Sequence, residues 1–369
     1  MRAIAQDEYG PADVLQLRDV AQTRDEAGRD GPRYDVIIDI AGCRPLSLLR
    51  RALTPRGRHH HLIMSLGGPR LAPGLECPVE EVRVRTMSGM TCLVTGATSG
   101  IGKETALRLA TLGATVILLA RDAARGATAK AEIQAGEPLA RVELMTADLS
   151  SLSQVRRVAA EILAQRDRLD VLVNNAGVIS PRWQLTADGL ETTFATNHLG
   201  PFLLTCLLRE LLERSAPARV VTVSSAAHKQ VRAIPWDDLP RGARSGQGQA
   251  YPLSKLANIL FTAELARRLS GTGVTANCLH PGFVRTAIGR DVTGVLGAIV
   301  PLALRLVPGP AAGARTPVYL ASSPEVAGVT GGYFVKCRPA QPSALARDDQ
   351  ASARLWALSE DLTGLARAR

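Results

Sequence analysis

The 369-residue sequence predicts a doubly wound α/β domain over about residues 87–369. Three observations predict it. A short apolar run, Cys92 to Thr95, passes through three glycines, Gly96, Gly100 and Gly102, into an amphipathic stretch, Lys103 to Leu112. A second apolar run, Thr115 to Ala120, follows at once, so strand and helix patterns alternate as in a parallel sheet covered on both faces. Much later, Tyr251-Pro252-Leu253-Ser254-Lys255 opens an apolar helical run, Leu256 to Leu265.

The first strand and its glycines carry a physical demand. A tight turn and a close backbone approach to a pyrophosphate need residues without side chains, and the helix behind them offers free N–H groups to the anion. Strand, glycines and helix in that order point to a nucleotide site rather than to a plain turn.

The second strand ends in Ala120-Arg121-Asp122. When the cofactor is NAD, this position usually carries an acid for the ribose hydroxyls. A guanidinium here can instead take a ribose phosphate with two parallel hydrogen bonds. Lys103, just past the last glycine, adds a second positive charge nearby. The competing reading makes Arg121 an ordinary surface arginine satisfied by Asp122. The missing acid favours NADP(H) over NAD(H).

The later helix brings Tyr251 and Lys255 to one face, a turn apart. A phenol titrates near pH 10, about three units too high for acid–base work at neutrality. An ammonium within roughly 4–6 Å lowers that value by about 1–3 units. Tyr-x-x-x-Lys alone is a weak pattern, common on solvated helix faces, and its weight comes from the glycine-rich unit before it.

Taken together, these residues resemble the short-chain dehydrogenase/reductases. The spacing Thr95-Gly96-x-x-x-Gly100-x-Gly102 is similar to theirs, and further matches come in the family's order. Asp148-Leu149 follows the third strand, Asn174-Asn175-Ala176-Gly177 closes the fourth, and Asn197 lies on a long helix. Ser224-Ser225 ends the strand Arg219 to Val223, and Pro281-Gly282 follows the sixth strand. Within the family the wording is similar to the retinol dehydrogenase-like group, as in His280-Pro281-Gly282-Phe283-Val284-Arg285-Thr286. The 25 residues between Ser225 and Tyr251, which carry Trp236-Asp237-Asp238-Leu239, are similar to that group's longer insertion.

The resemblance covers about residues 87–369 and implies a Rossmann fold with a mostly parallel seven-stranded sheet. It implies cofactor contacts from Gly96, Thr98, Ser99, Gly100, Ile101 and Gly102 in the glycine loop, and from Arg121 at the ribose. Asp148 and Leu149 would flank the adenine, while Asn175, Ala176 and Gly177 pack backbone against the cofactor. Pro281 and Gly282 lead to Val284 and Thr286 at the nicotinamide carboxamide. Tyr251 is implied as the proton donor to the substrate oxygen in reduction, or the base in oxidation. Lys255 would lower its pKa and bond the nicotinamide ribose. Ser225 would hold the carbonyl, with Ser224 the fallback, and Asn197 would support a water linking Lys255 to solvent. The cofactor carries the hydride and the protein supplies position and electrostatics.

The implied activity is NADP(H)-linked interconversion of a carbonyl and an alcohol, on a lipophilic aldehyde, ketone or alcohol. The alternative is a scaffold that senses redox state by NADPH occupancy without turnover; its mark would be a broken tetrad, and this tetrad is intact. Pairing of two copies through helices beside the active site, a homo-oligomer, is also implied by the resemblance.

The rest of the chain narrows the class. No apolar stretch reaches the 18 or so residues that span a bilayer. The longest, Val295 to Val307, is interrupted by Gly297, Pro301 and Arg305. It reads as a packed helix, or, by its resemblance to the family's substrate-side region, as a sign of a greasy substrate or loose membrane contact. The opening residues lack a charged-then-apolar signal pattern, which leads us to expect a cytoplasmic protein. Six cysteines without metal-ligand spacing fit buried thiols, and His59-His60-His61, with no spaced partner, reads as a strand edge, so no metal site is expected. The formal charge of +10 comes from 44 basic residues, only five of them lysine, spread without blocks. No aromatic-interleaved basic motif accompanies them, which argues against nucleic-acid binding.

Residues 1–86 stand apart. Met1 to Val20 and residues 31–57, with Tyr34-Asp35-Val36-Ile37-Ile38-Asp39, resemble pieces of a medium-chain quinone-type reductase. The expectation is a small partial strand–helix–strand segment, with a helix around Pro45 to Leu53 and a strand around His60 to Met64, a fusion remnant or upstream misread that contributes no catalysis; the competing reading is a docking or regulatory segment.

Overall fold

The computed structural model describes residues 2–5, 16–19, 86–180, 182–239, 249–282 and 309–365. The chain divides into two units, Met1–Val84 and Arg85–Arg369. In the first unit, β1 (Arg2–Ala5) pairs antiparallel with β2 (Gln16–Asp19), Arg2 opposite Asp19. Antiparallel neighbours need only a local reversal of the chain. The expected elements at Tyr34–Gly42, Pro45–Leu53 and His60–Met64 lie outside the described residues, as do the His59–His61 run and Val295–Val307.

The second unit is a doubly wound α/β fold. Its elements run β3 (Thr91–Thr95), α1 (Gly100–Thr111), β4 (Thr115–Ala120), α2 (Ala123–Gly136), β5 (Arg141–Thr146), α3 (Leu152–Gln165) and β6 (Val171–Asn174). They continue with α4 (Gly200–Leu207), β7 (Ala218–Val223), α5 (Ala250–Arg268), β8 (Val274–His280), α6 (Arg315–Ser322), β9 (Tyr333–Val335), β10 (Arg338–Pro339) and α7 (Asp349–Thr363). The sheet order is β10-β9-β8-β7-β6-β3-β4-β5. All its pairings are parallel except β9 with β10.

Strands buried on both faces read as continuous apolar runs, and their alternate side chains feed two cores. Leu93, Ile117, Leu172 and Val220 join the core under α3, α4 and α5. Val94, Leu118, Val173 and Val221 join the one under α1, α2 and α6. The order in which strands are added to the sheet reverses between β3 and β6. A doubly wound sheet opens its ligand crevice at such a switch point, outside the carboxyl ends of the strands.

The structure adds an eighth strand to the seven expected. Lys336 and Cys337 both sit at positive φ, 52° and 60°, and make a two-residue reversal that folds β10 back on β9. Turns of this hand match the twist of the flanking strands but usually take Asn-Gly, which is absent here. The long helix expected around Asn197 is also interrupted. A short turn, Thr192–Phe194, leads into a π-turn, Ala195–Leu199, and only then into α4. Finally, α1 begins at Gly100 rather than Lys103, so two of the three glycines belong to its first turn.

Candidate active site

The site is built from loops at the carboxyl ends of β3, β4, β5, β6, β7 and β8. Gly96, at φ +65°, turns the chain out of β3; a Cβ there would stand 2.8 Å from the Ala176 backbone. A Cβ on Gly102 would lie 2.5 Å from the Gly96 carbonyl oxygen. Two of the glycines are therefore demanded by the close packing of the β3 loop against the β6 loop. Thr95 knits the same loops together: its Oγ1 accepts the N–H groups of Asn175 (3.0 Å) and Ala176 (2.9 Å). Asn175 Nδ2 returns a bond to the Thr95 carbonyl at 2.8 Å.

At the N-terminus of α1, the Ser99 side chain makes no capping bond and the first turn holds no acid. Its free N–H groups are left for another acceptor. Gly100, at φ +59°, opens onto clear space where a side chain would intrude. An uncapped helix end with an open glycine cradle fits the pyrophosphate of a dinucleotide.

A cleft of about 880 Å³ runs from this loop across the switch point. Thr98, Ser99, Ile101, Asp148, Leu149, Asn175, Ala176, Gly177, Pro281 and Gly282 line it, with Gly96, Gly100, Gly102, Tyr251 and Lys255. Val284 and Thr286 lie outside the described residues.

Beyond β4 the wall is formed by Arg121, Asp122 and Arg125. Asp122 caps α2, its carboxylate accepting the Arg125 N–H at 2.7 Å. Arg121 makes no ion pair with a described residue. Arg125 was missed from sequence; its only mark was a place one helical turn after Arg121. Lys103, expected to add charge beside Arg121, is engaged by Glu132 on α2 instead, because that carboxylate faces it across the groove between α1 and α2.

The polar centre lies between β7 and α5. Tyr251 stands in the first turn of α5, and Lys255, one turn on, is buried. Ser225 follows β7 and caps the 3₁₀ turn Ala226–Gln230, its Oγ accepting the Ala227 N–H at 3.2 Å. Ser224 is buried and donates its hydroxyl to the Lys255 carbonyl at 2.6 Å, anchoring α5 to the strand end. Asn197 sits behind the cleft, fully buried in the π-turn. Its Oδ1 accepts the Val178 N–H at 2.8 Å, and its Nδ2 donates to the Val178 carbonyl and to Ser254 Oγ, each at 3.0 Å. A Cβ on Gly177 would lie 3.3 Å from Lys255 Nζ and 3.6 Å from Asn197 Oδ1, so this glycine separates the two polar groups. Single π-turns inside helices recur at functional sites.

The electrostatics correct one expectation. Burial pushes the Tyr251 phenol above its ordinary range, and a hydrogen bond with Ser225 opposes that shift. Lys255 does not bring it down: its ammonium donates to the Val223 carbonyl at 3.1 Å and stands 5.6 Å from the centre of the Tyr251 ring. Burial draws Lys255 itself down to about 8. Loss of solvation outweighs a charge that is half spent on a backbone carbonyl.

Sequence reasoning also missed Thr95, and Val178, Ile179, Gln230 and His280 in the cleft wall. Thr95 was legible as the last strand residue and the head of the glycine motif, but not as the acceptor that joins the two loops, since Asn175 is 80 positions away. Among the described residues, no helix is long and apolar enough to cross a membrane and no group of three or more His, Cys, Asp or Glu could hold a metal.

Comparison with known proteins places this geometry. The family model described as short chain dehydrogenase matches residues 90–294. Retinol dehydrogenase 14 of Homo sapiens is 44% identical over 297 residues, covering 76% of this chain and 88% of that protein. A structure of an uncharacterised protein from Mycobacterium Paratuberculosis aligns with TM-score 0.60 and 38% identity, over 75% of this chain and 94% of that one. A short chain dehydrogenase from Burkholderia cenocepacia in complex with NADP aligns with TM-score 0.54 and 26% identity, over 68% and 96%. The quinone-type reductase resemblance of residues 1–86 is not borne out; the family match begins at residue 90.

Proposed function

The chain belongs to the short-chain dehydrogenase family, an oxidoreductase acting on CH–OH donors, and from that premise we propose that it interconverts a lipophilic aldehyde or ketone and its alcohol with NADP(H). The observation that carries the reading is that Ser225 and Tyr251 line one cleft with the glycine loop, with Lys255 one helical turn behind Tyr251. A bound nicotinamide dinucleotide supplies the hydride in reduction and accepts it in oxidation.

The chain's own groups handle the oxygen. Ser225 and Tyr251 both line the cleft, and a carbonyl oxygen held between them would accept from both hydroxyls. Tyr251 gives up its proton as the carbonyl becomes an alcohol, and the phenol's raised pKa keeps that proton in place until negative charge develops on the oxygen. Lys255, drawn down to about 8, can exchange a proton near neutrality. Lys255 and Asn197 flank Gly177, which suits a proton path through one bridging water. Asn197 also ties Val178 of the cleft wall to Ser254 of α5.

NADP(H) is favoured by two guanidiniums, Arg121 and Arg125, at the end of β4 and by the use of Asp122 as a helix cap. The Burkholderia relative's complex with NADP supports it. A lipophilic substrate is supported by the apolar wall at Val178 and half-exposed Ile179, and by the retinol dehydrogenases among the relatives.

The test follows NADPH and NADH oxidation by the full chain against decanal, benzaldehyde and retinal, beside Tyr251→Phe. Turnover should prefer NADPH and fall by about 10²–10⁴-fold in the variant, with NADPH affinity kept. Retained activity in Tyr251→Phe would refute the assigned acid. Thermal stabilisation by NADPH with no turnover of any carbonyl would favour the sensing scaffold.

A further inference from the structure

Ser225 is gripped from behind by a histidine that none of these roles uses. His228 is fully buried in the 3₁₀ turn that Ser225 caps. Its Nε2 lies 3.1 Å from the backbone nitrogen of Ser343. A backbone N–H can only donate, so Nε2 is the acceptor and the ring proton sits on Nδ1. That Nδ1–H meets the Ser225 carbonyl oxygen at 2.6 Å. The same oxygen takes the His228 backbone N–H at 3.2 Å, and Tyr333 braces the ring edge-on with centroids 5.4 Å apart. Ser343 lies just ahead of α7, whose Arg354 stacks on the Trp236 ring at 4.5 Å. The segment after β10 and the insertion after β7 therefore interlock around this histidine.

We propose that His228 is a positioning residue: a neutral imidazole that bridges Ser343 to the backbone of Ser225 and so sets the direction in which Ser225 Oγ meets Tyr251 and the substrate oxygen. The proposal rests on the reading of Ser225 as the group that holds that oxygen. Protonation at Nε2 would set two N–H groups against each other at Ser343, so the bridge requires the neutral ring. Burial keeps His228 below its ordinary pKa, against the Ser225 bond and together with the nearby Lys229 charge.

The test uses the full chain, NADPH, and decanal and retinal as probes. His228→Leu keeps the buried bulk and removes both nitrogens, while His228→Asn keeps an N–H near the Ser225 carbonyl. The leucine variant should lose kcat on the order of tenfold with unchanged NADPH affinity, and asparagine should restore most of it. Ser225→Ala should lose turnover by itself, and adding His228→Leu should cost nothing more, because the hydroxyl being aimed is gone. Full kcat in His228→Leu, or losses that multiply in the double variant, would overturn the proposal. Full turnover in Ser225→Ala would overturn the reading of the serine instead. If His228→Leu does not fold, Ser343→Pro carries the test, with Ser343→Ala beside it to separate loss of the hydroxyl from loss of the N–H that Nε2 accepts: kcat must drop in the proline variant beyond the alanine variant with NADPH binding kept, or the bridge is irrelevant. A substrate-free arm reads the tautomer by ¹⁵N NMR of the imidazoles. The resonance lost in His228→Asn should be a neutral Nδ1–H ring that protonates at lower pH than a free imidazole; an Nε2–H ring there would also overturn the proposal.

Discussion

Lys255 shows what one buried charge costs this fold. It is 3% exposed, and burial draws it from 10.5 to about 8. Between those values the unfolded chain holds a proton that the folded chain has released, so stability rises with pH across that window. The penalty is fully present below about pH 8 and amounts to something on the order of 3 kcal/mol. Lys255→Met should therefore raise the melting temperature at pH 7 by roughly 5 °C or more while abolishing turnover. The gain should shrink towards pH 10, and calorimetry across that range checks it; a lower melting point at pH 7 would count against the argument. At the far end of the cleft, Arg121→Ala should weaken NADPH by about tenfold or more and leave NADH nearly unchanged, as expected for a two-bond guanidinium–phosphate contact. Equal losses for both cofactors, read by fluorescence titration, would remove the basis for the NADP(H) preference.

At the scale of elements, legibility followed locality. The β3 loop and α1 could be read because strand, glycines and amphipathic helix are written consecutively. The β9–β10 hairpin could not, because Lys336 and Cys337 are held at positive φ against their own preference. Replacing them with the residues such a reversal favours, Lys336→Asn with Cys337→Gly, should stabilise the domain by about 1–2 kcal/mol. Thermal unfolding should register about 2–4 °C for each kcal/mol. No gain would mean that flanking contacts, such as the Cys337 N–H on Thr316 Oγ1 at 3.2 Å, already offset the strain. The π-turn at Asn197 was hidden for a different reason. Its residues have ordinary helical patterning, and the widened turn answers to distant groups, Val178 and Ser254, that take the asparagine amide.

At the scale of the molecule, the division at Val84 and Arg85 lies beside the point where the family match begins. Everything assigned to the cleft comes from the second unit. Residues 87–369 expressed alone should fold and keep the turnover of the full chain, with the same preference between NADPH and NADH. Loss of folding or activity without the first 86 residues would show that the segment contributes to catalysis or stability. The C-terminal helix bears on the same question from the other end. It lies along α5, where Trp356 packs on Phe202 and Phe261 with centroids 4.9 and 5.9 Å apart, so the helix that carries Tyr251 and Lys255 is braced by the last described element.

Sequence alone determined the class of fold, the order of strand, glycines and helix, the placing of Tyr251 and Lys255 one helical turn apart, and the basic residue at the end of β4. These are short patterns set by residue type and by spacing along the chain, whereas Asn197 and Ser225 enter the proposed catalytic set from the family resemblance. The tertiary structure alone decided that Lys103 belongs to Glu132, that burial rather than Lys255 governs the Tyr251 phenol, that Arg125 shares the wall with Arg121, and that His228 reaches from Ser343 to Ser225. Each of these depends on which groups, far apart in the chain, are brought out of water together, and neither solvation nor such contacts are carried by local sequence.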